Sequence, residues 1–394
     1  MTANIRRGNA ARKNRRTAAA VILFWIGWVG LDAARAAETI RVALFLDLPA
    51  VTVSGNSGVS LSSAEGRPIA KKSVAPVEIV SGPGGLVING KKTDLRRLIV
   101  SSADGTIRVN DLAVGGILQI RLQRDGLRVV NELDLEEYLK GVVPVEISPD
   151  WNPEALKVQA IIARTYALHQ KRANPGKEYD LLATTDDQLY AGRGKERPAA
   201  NQAVAATRGW ILTYDGEPIL AAYHSTSAGP TEDAAEVWGM DLPYLKGVSC
   251  PFDLNSPYYR WTRAIPMDRV QEDFLKAGYS VGTIASVTPF HWTRAGRIDQ
   301  LRILHSNGDL ILKAGEFRRI LGYSELRSAR FVIEKIGREI RIQGMGSGHA
   351  VGLCQWGAKE MAEMGYDYEK ILKYYYPGVG LQPYSELTMG NSTP

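Results

Sequence analysis

The 394-residue chain is 45% hydrophobic and 23% charged, an ordinary globular composition. Its formal charge of +6 resides in residues 1–36, which hold seven Lys/Arg against one Asp, so the rest is close to neutral. The basic balance therefore gives no support to nucleic-acid binding, and the length beyond residue 36 can bury a large core as two or three units.

Arg6, Arg7, Arg12, Lys13, Arg15 and Arg16 precede an apolar run at 18–31, and Ala34-Arg35-Ala36 offers a small-x-small cleavage site. The run is shorter than the roughly 20 residues of a spanning helix. Export with cleavage near Ala36 is expected, to the periplasm or cell envelope, and an uncleaved anchor is the alternative.

Residues 37–130 read as a small β domain, with strands over 39–46, 77–80, 86–88, 98–101, 107–109 and 117–122 and hairpin turns at Asn89-Gly90 and Asp125-Gly126. Residues 53–65, rich in Ser and Gly, read as a long exposed loop. Asp134 with Glu137 forms a capping box for a short helix that Gly141 is placed to end. Asn152 and Pro153 start a second helix reaching about Gln170.

Beyond a polar stretch at 172–195, residues 199–207 look helical, and 210–214 and 219–224 look like strands joined through Asp215-Gly216. Residues 251–340 read as a mixed, β-rich insertion, with a helix at 267–277 and strands at 286–293, 298–304, 310–312 and 331–337. A glycine-rich turn at 344–348 leads through His349 to helices at 355–364 and 368–375. The fold class is α+β, and residues 131–394 form the candidate catalytic region.

Glu146 is the most informative residue. It follows Val142, Val143, Pro144 and Val145 and precedes Ile147, with no cation nearer in sequence than Lys140 or Lys157. Loss of hydration without a local cation favours the acid form and raises the pKa, which suits a general acid. No second carboxylate accompanies it in its own segment. Glycoside hydrolysis normally requires two; a single-acid scheme is feasible where the substrate supplies its own nucleophile.

The hydroxyls, imidazoles and amide of His224, Ser225, Ser227, His349 and Gln355, with Trp238 and Trp356, are side chains suited to a polar glycan. A strand end whose side chains satisfy local backbone groups is the plainer reading. His224, Glu232 and His349 match no zinc signature such as HExxH. Cys250 and Cys354 are the only cysteines. In an oxidising compartment such a pair is expected to form a disulfide, with two buried thiols as the alternative.

Three segments carry a resemblance to the stage II sporulation protein D (SpoIID/LytB) family. Residues 141–167 match its "GVVxxE" turn and the following "EALKxQAxxARTYA" run. His224, Ser225, Thr226, Ser227, Gly229, Thr231, Glu232, Trp238, Pro243 and Tyr244 match its "HSTSGGxTE…VWG…PY" block, with Ala228 for a common glycine. Gly346, Gly348, His349, Val351, Gly352, Gln355, Gly357 and Ala358 match its "GxGHGVGxxQxGA" block, with Ser347 inserted and Ala350 for a glycine.

The resemblance implies a peptidoglycan lytic transglycosylase cutting between N-acetylmuramic acid and N-acetylglucosamine. Glu146 would be its acid/base, and His224, Ser225, Ser227, His349 and Gln355 would position the glycan strand. It also implies the alternative of a non-enzymatic enhancer acting with a cell-wall amidase. Some relatives hold zinc in a cysteine-flanked segment. The equivalent residues 184–190 have no cysteine, so neither cofactor nor metal is expected there.

Overall fold

The computed structural model describes residues 38–387; the export signal expected over 1–36 lies outside them. These described residues group as one compact unit. No described helix is long and apolar enough to cross a membrane.

Two sheets form the amino-terminal part, antiparallel throughout except where Leu181–Leu182 pairs in parallel with Thr39–Leu48. One runs, in spatial order, through Leu181–Leu182, Thr39–Leu48, Leu127–Asp134, Ile117–Leu122, Arg97–Ser102, Val59–Ser63 and Pro68–Ser73. The other runs through Leu112–Gly115, Thr106–Val109, Ala50–Ser54, Val77–Ser81, Leu86–Ile88 and Lys91–Lys92. Alternating residues such as Val51, Val53, Ile79, Leu98, Val100, Leu118 and Ile120 bury between them.

The stretch expected as a loop at 53–65 is instead mostly strand. Val53, Val59 and Leu61 point into this core, so alternation outweighs the intervening Ser and Gly. Asn89 and Gly90 both take positive φ in a two-residue hairpin, as such turns require.

Eight α-helices occur among the described residues: α1 (Leu135–Glu146), α2 (Pro153–Ala173), α3 (Pro198–Ala206), α4 (Ala234–Trp238), α5 (Met267–Lys276), α6 (Ala314–Leu321), α7 (Gln355–Glu363) and α8 (Tyr368–Tyr375). Asp134 ends its strand and caps α1, accepting from the Glu136 and Glu137 N–H groups. Gly141 does not end α1. It lies inside the helix because an added Cβ would meet the Tyr190 ring at 2.6 Å and the Gly192 carbonyl at 2.9 Å, so glycine serves close packing there. The helix runs on through Pro144, and Glu146 becomes its last residue.

α2 buries both flanks. Leu156, Ala160, Ala163 and Ala167 join the sheet core, while Ala155, Val158, Ile161 and Ile162 join a second core with α7 and α8. Arg164 of α2 and Glu136 of α1 make a buried ion pair at 2.7 Å. Arg164 also donates to the Val204 and Trp210 carbonyls, so its charge is fully engaged, as burial demands.

The strand expected over 219–224 is broken into Glu217–Pro218 and Tyr223–His224. Side chains take the intervening backbone groups: the Tyr376 hydroxyl donates to the Ala222 carbonyl at 2.7 Å, and the Tyr244 hydroxyl accepts from the Leu220 N–H. A third core gathers α5, α6 and the strands between 260 and 345. Buried Arg297 reaches from this region to Glu232 at 3.1 Å.

Candidate active site

Tyr223–His224 pairs in parallel with Leu353–Cys354, and single bridges join Thr226 to Ser347 and Glu232 to Val351. The second and third sequence motifs are thereby laid side by side. Gly348 makes this approach feasible at φ 109°, since a Cβ there would lie 2.6 Å from that of His224. Ala228 (φ 53°) and Ala350 (φ 67°) also occupy the left-handed region. These are the two positions where alanine replaces a common family glycine, so each carries backbone strain that glycine would lack.

Glu146 stands half-buried at the carbonyl end of α1, where the helix field disfavours a negative charge. The loop after Leu181–Leu182 supplies its first partner, the Leu189 N–H, 2.8 Å from Oε1. That loop is braced: Asp187 accepts from the Tyr166 hydroxyl, the Gln170 amide and the Leu182 N–H. Asp180 is held against Arg41 at 2.5 Å.

The side chains of Tyr223 and Gln355 also hydrogen-bond Glu146. Tyr223 extends the network through Gln188, which accepts from the buried Tyr138 hydroxyl. Gln355, the first residue of α7, also donates to Gln159 of α2. Desolvation raises the Glu146 carboxyl to about 7, against the opposing pull of the three hydrogen bonds, and no neighbouring carboxylate contributes. A carboxyl so poised donates and accepts a proton with comparable ease at neutral pH.

Of the other expected site residues, His224, Ser227 and Gln355 are buried, whereas Ser225 and His349 are half-buried like Glu146. His224 is buried, with Nδ1 3.1 Å from the Val351 carbonyl and Nε2 2.8 Å from Ser227 Oγ. The first contact requires Nδ1–H, so Nε2 accepts the Ser227 hydroxyl proton. Burial holds His224 neutral, well below its ordinary value. Ser227 is itself buried, so its hydroxyl braces His224. Ser225 is half-buried beside Thr226, and its carbonyl accepts from the Trp356 N–H.

His349 is lowered by burial to about 4 and accepts the Val351 N–H through Nδ1. Its ring sits 4.9 Å from Trp238, which is 39% exposed. On α7, Trp356 packs edge-on against Trp151 at 5.2 Å. Tyr223, Gln188 and Leu189 were not legible as site residues. Tyr223 directly precedes the His224 motif, whereas Leu189 contributes only its backbone and leaves no signature in sequence.

The acidic residues that could have served as a second catalytic carboxylate are occupied elsewhere. Asp187 braces its loop, and buried Glu232 accepts from Thr293 and Arg297. Cys250 and Cys354 are free thiols, both buried, so the expected disulfide is absent from this structure.

Fold and site together define a mixed α+β protein with a single half-buried glutamate, Glu146, whose carboxyl is raised by desolvation. A family model described as stage II sporulation protein matches residues 123–214, and one for a domain of unknown function (DUF8618) matches 236–352. The chain is 33% identical over 312 residues to stage II sporulation protein D of Bacillus subtilis (strain 168), covering 75% of this chain and 86% of that one. It is 36% identical to the Bacillus amyloliquefaciens protein of the same name, covering 67% of this chain and 78% of that one. It is also 32% identical to an amidase enhancer of Bacillus subtilis (strain 168) over 62% of its own length but only 40% of that protein. The chain belongs to the stage II sporulation protein D family.

Proposed function

We propose that this protein is an exported peptidoglycan lytic transglycosylase that cleaves glycan strands between N-acetylmuramic acid and N-acetylglucosamine. Family membership supports a role at the cell wall. The observation that carries the catalytic reading is Glu146, poised near 7 by desolvation with no carboxylate contributing to its shift. A water-activating hydrolase needs a second carboxylate, whereas an intramolecular reaction does not.

In the proposed step, protonated Glu146 gives its proton to the glycosidic oxygen as the bond to the anomeric carbon breaks. The carboxylate then takes the proton of the muramyl 6-hydroxyl, whose oxygen closes on that carbon. The product is a 1,6-anhydro sugar, and the glutamate ends the step as the protonated acid it began. Leu189, Tyr223 and Gln355 stabilise the transient carboxylate. His349, Trp238 and Ser225 offer the polar and aromatic faces for the strand, while His224 and Ser227 hold that wall from behind.

The similarity to an amidase enhancer favours a second reading, in which the same groove binds glycan and assists a separate amidase. Digestion of intact and peptide-stripped glycan with purified protein, followed by mass analysis of the ends, distinguishes them. Anhydro-muramyl ends are expected. Reducing muramic acid ends overturn the single-acid scheme, and absence of cleavage with acceleration of an added amidase establishes the enhancer.

A further inference from the structure

Cys250, Asp253 and Cys354 meet in a buried cluster that neither the acid/base chemistry nor the glycan wall uses. Their Sγ and carboxylate oxygen atoms all lie within 4.8 Å of one another, and all three residues are buried. Tetrahedral coordination by two thiolates brings sulfur atoms to about 3.8 Å, with the metal about 2.3 Å from each. A cluster of this span therefore has the size of a metal cage.

A further observation points to a cation. Asp253 is 1% exposed, its Oδ2 accepts the Ala228 N–H at 2.7 Å, and its Oδ1 has no hydrogen-bond partner. A buried carboxylate oxygen without a partner is costly. The sulfurs sit close by: Cys354 Sγ is 3.3 Å from Asp253 Oδ2 and 3.4 Å from each of the Ser227 and Gly357 nitrogens, and Cys250 Sγ is 3.2 Å from the Tyr375 hydroxyl oxygen. Gly357 keeps the space open, since an added Cβ would lie 2.8 Å from Cys250 Sγ and 2.1 Å from the Tyr375 hydroxyl oxygen.

We propose that Cys250, Asp253 and Cys354 bind one thiophilic divalent cation of the zinc type, with water completing the coordination. Binding releases the two thiol protons to solvent, and three anionic ligands then share one divalent charge. A disulfide would leave Asp253 without that counter-charge. The cation is structural. It ties the 250–253 loop to the amino terminus of α7, whose first residue, Gln355, reaches Glu146, and through Ala228 to the His224 strand.

The test uses the full chain purified under reducing conditions and stripped with a chelator. Titration with Co²⁺ should give one equivalent of tight binding with near-ultraviolet thiolate-to-cobalt charge-transfer absorption. Zn²⁺ should displace it stoichiometrically and raise Tm. Asp253→Asn, nearly isosteric, should weaken Zn²⁺ binding at least tenfold, and Cys354→Ser should abolish the charge-transfer band. Should either variant fail to fold, the cobalt spectrum of the unaltered chain still decides. Absence of stoichiometric Zn²⁺ uptake by the reduced chain overturns the proposal. So does protein isolated from the envelope with a Cys250–Cys354 disulfide and no bound metal. These readouts contain no glycan, so their failure is distinct from failure of the transglycosylase reading.

Discussion

Replacing Glu146 by Gln separates the proposed catalytic carboxyl from the fold that perturbs it. In the folded chain this group titrates at about 7 rather than 4.5. The folded state therefore holds a proton that the unfolded state releases between those values, and stability falls as pH rises through that window. Below 4.5 both states are protonated and nothing is lost. Above 7 the burial of the charge costs the fold about 3 kcal/mol, less whatever solvent reaches the half-buried group.

The amide carries no charge and keeps an acceptor for the Leu189 N–H. Glu146→Gln should therefore unfold like the unaltered protein at pH 4 and be more stable by about 2–3 kcal/mol at pH 8. Urea denaturation at the two pH values measures the difference. Glycan cleavage should meanwhile drop by about 10²–10⁴-fold, the usual worth of a positioned acid/base. A stability difference that does not change with pH would refute the desolvation argument, and retained cleavage would refute the catalytic assignment.

Other perturbations probe the surrounding frame. Tyr223→Phe removes a hydrogen bond that lowers the Glu146 pKa, so the limb of the pH–rate profile governed by that group should move to higher pH; an unmoved profile separates Tyr223 from the acid. Gly141→Ala should destabilise by about 1–3 kcal/mol in thermal or urea unfolding, because the Tyr190 ring and Gly192 carbonyl leave no room for the methyl group. Ala350→Gly should raise stability by roughly 0.5–1 kcal/mol, relief of the left-handed strain outweighing the added chain entropy. Arg164→Met should cost about 3–5 kcal/mol by leaving Glu136 charged and unpaired, and a companion Glu136→Gln should recover much of that loss.

Local physics was readable along the chain wherever it was self-contained. Asp134 and Asn152 announce helix starts because a short polar side chain caps its own neighbours, and Asn89-Gly90 announces a hairpin because its dihedral demands are local. Glu146 stood out for the same reason, an acid amid apolar neighbours with no nearby cation. Gly141 misled because the reason for a glycine there, the Tyr190 ring, lies 49 positions away in the chain.

The residues that complete the site are equally remote in sequence. Leu189 contributes a backbone N–H whose direction depends on the bracing of its loop by Asp187 and Asp180, and Gln355 arrives on a different helix. The two cysteines and Asp253 converge only in the folded chain, where the Tyr223–His224 and Leu353–Cys354 strands align. Sequence alone supplied the acid and the motifs around it. Tertiary packing decided its partners and its proton affinity, because desolvation and hydrogen bonding depend on distances in space between residues far apart along the chain.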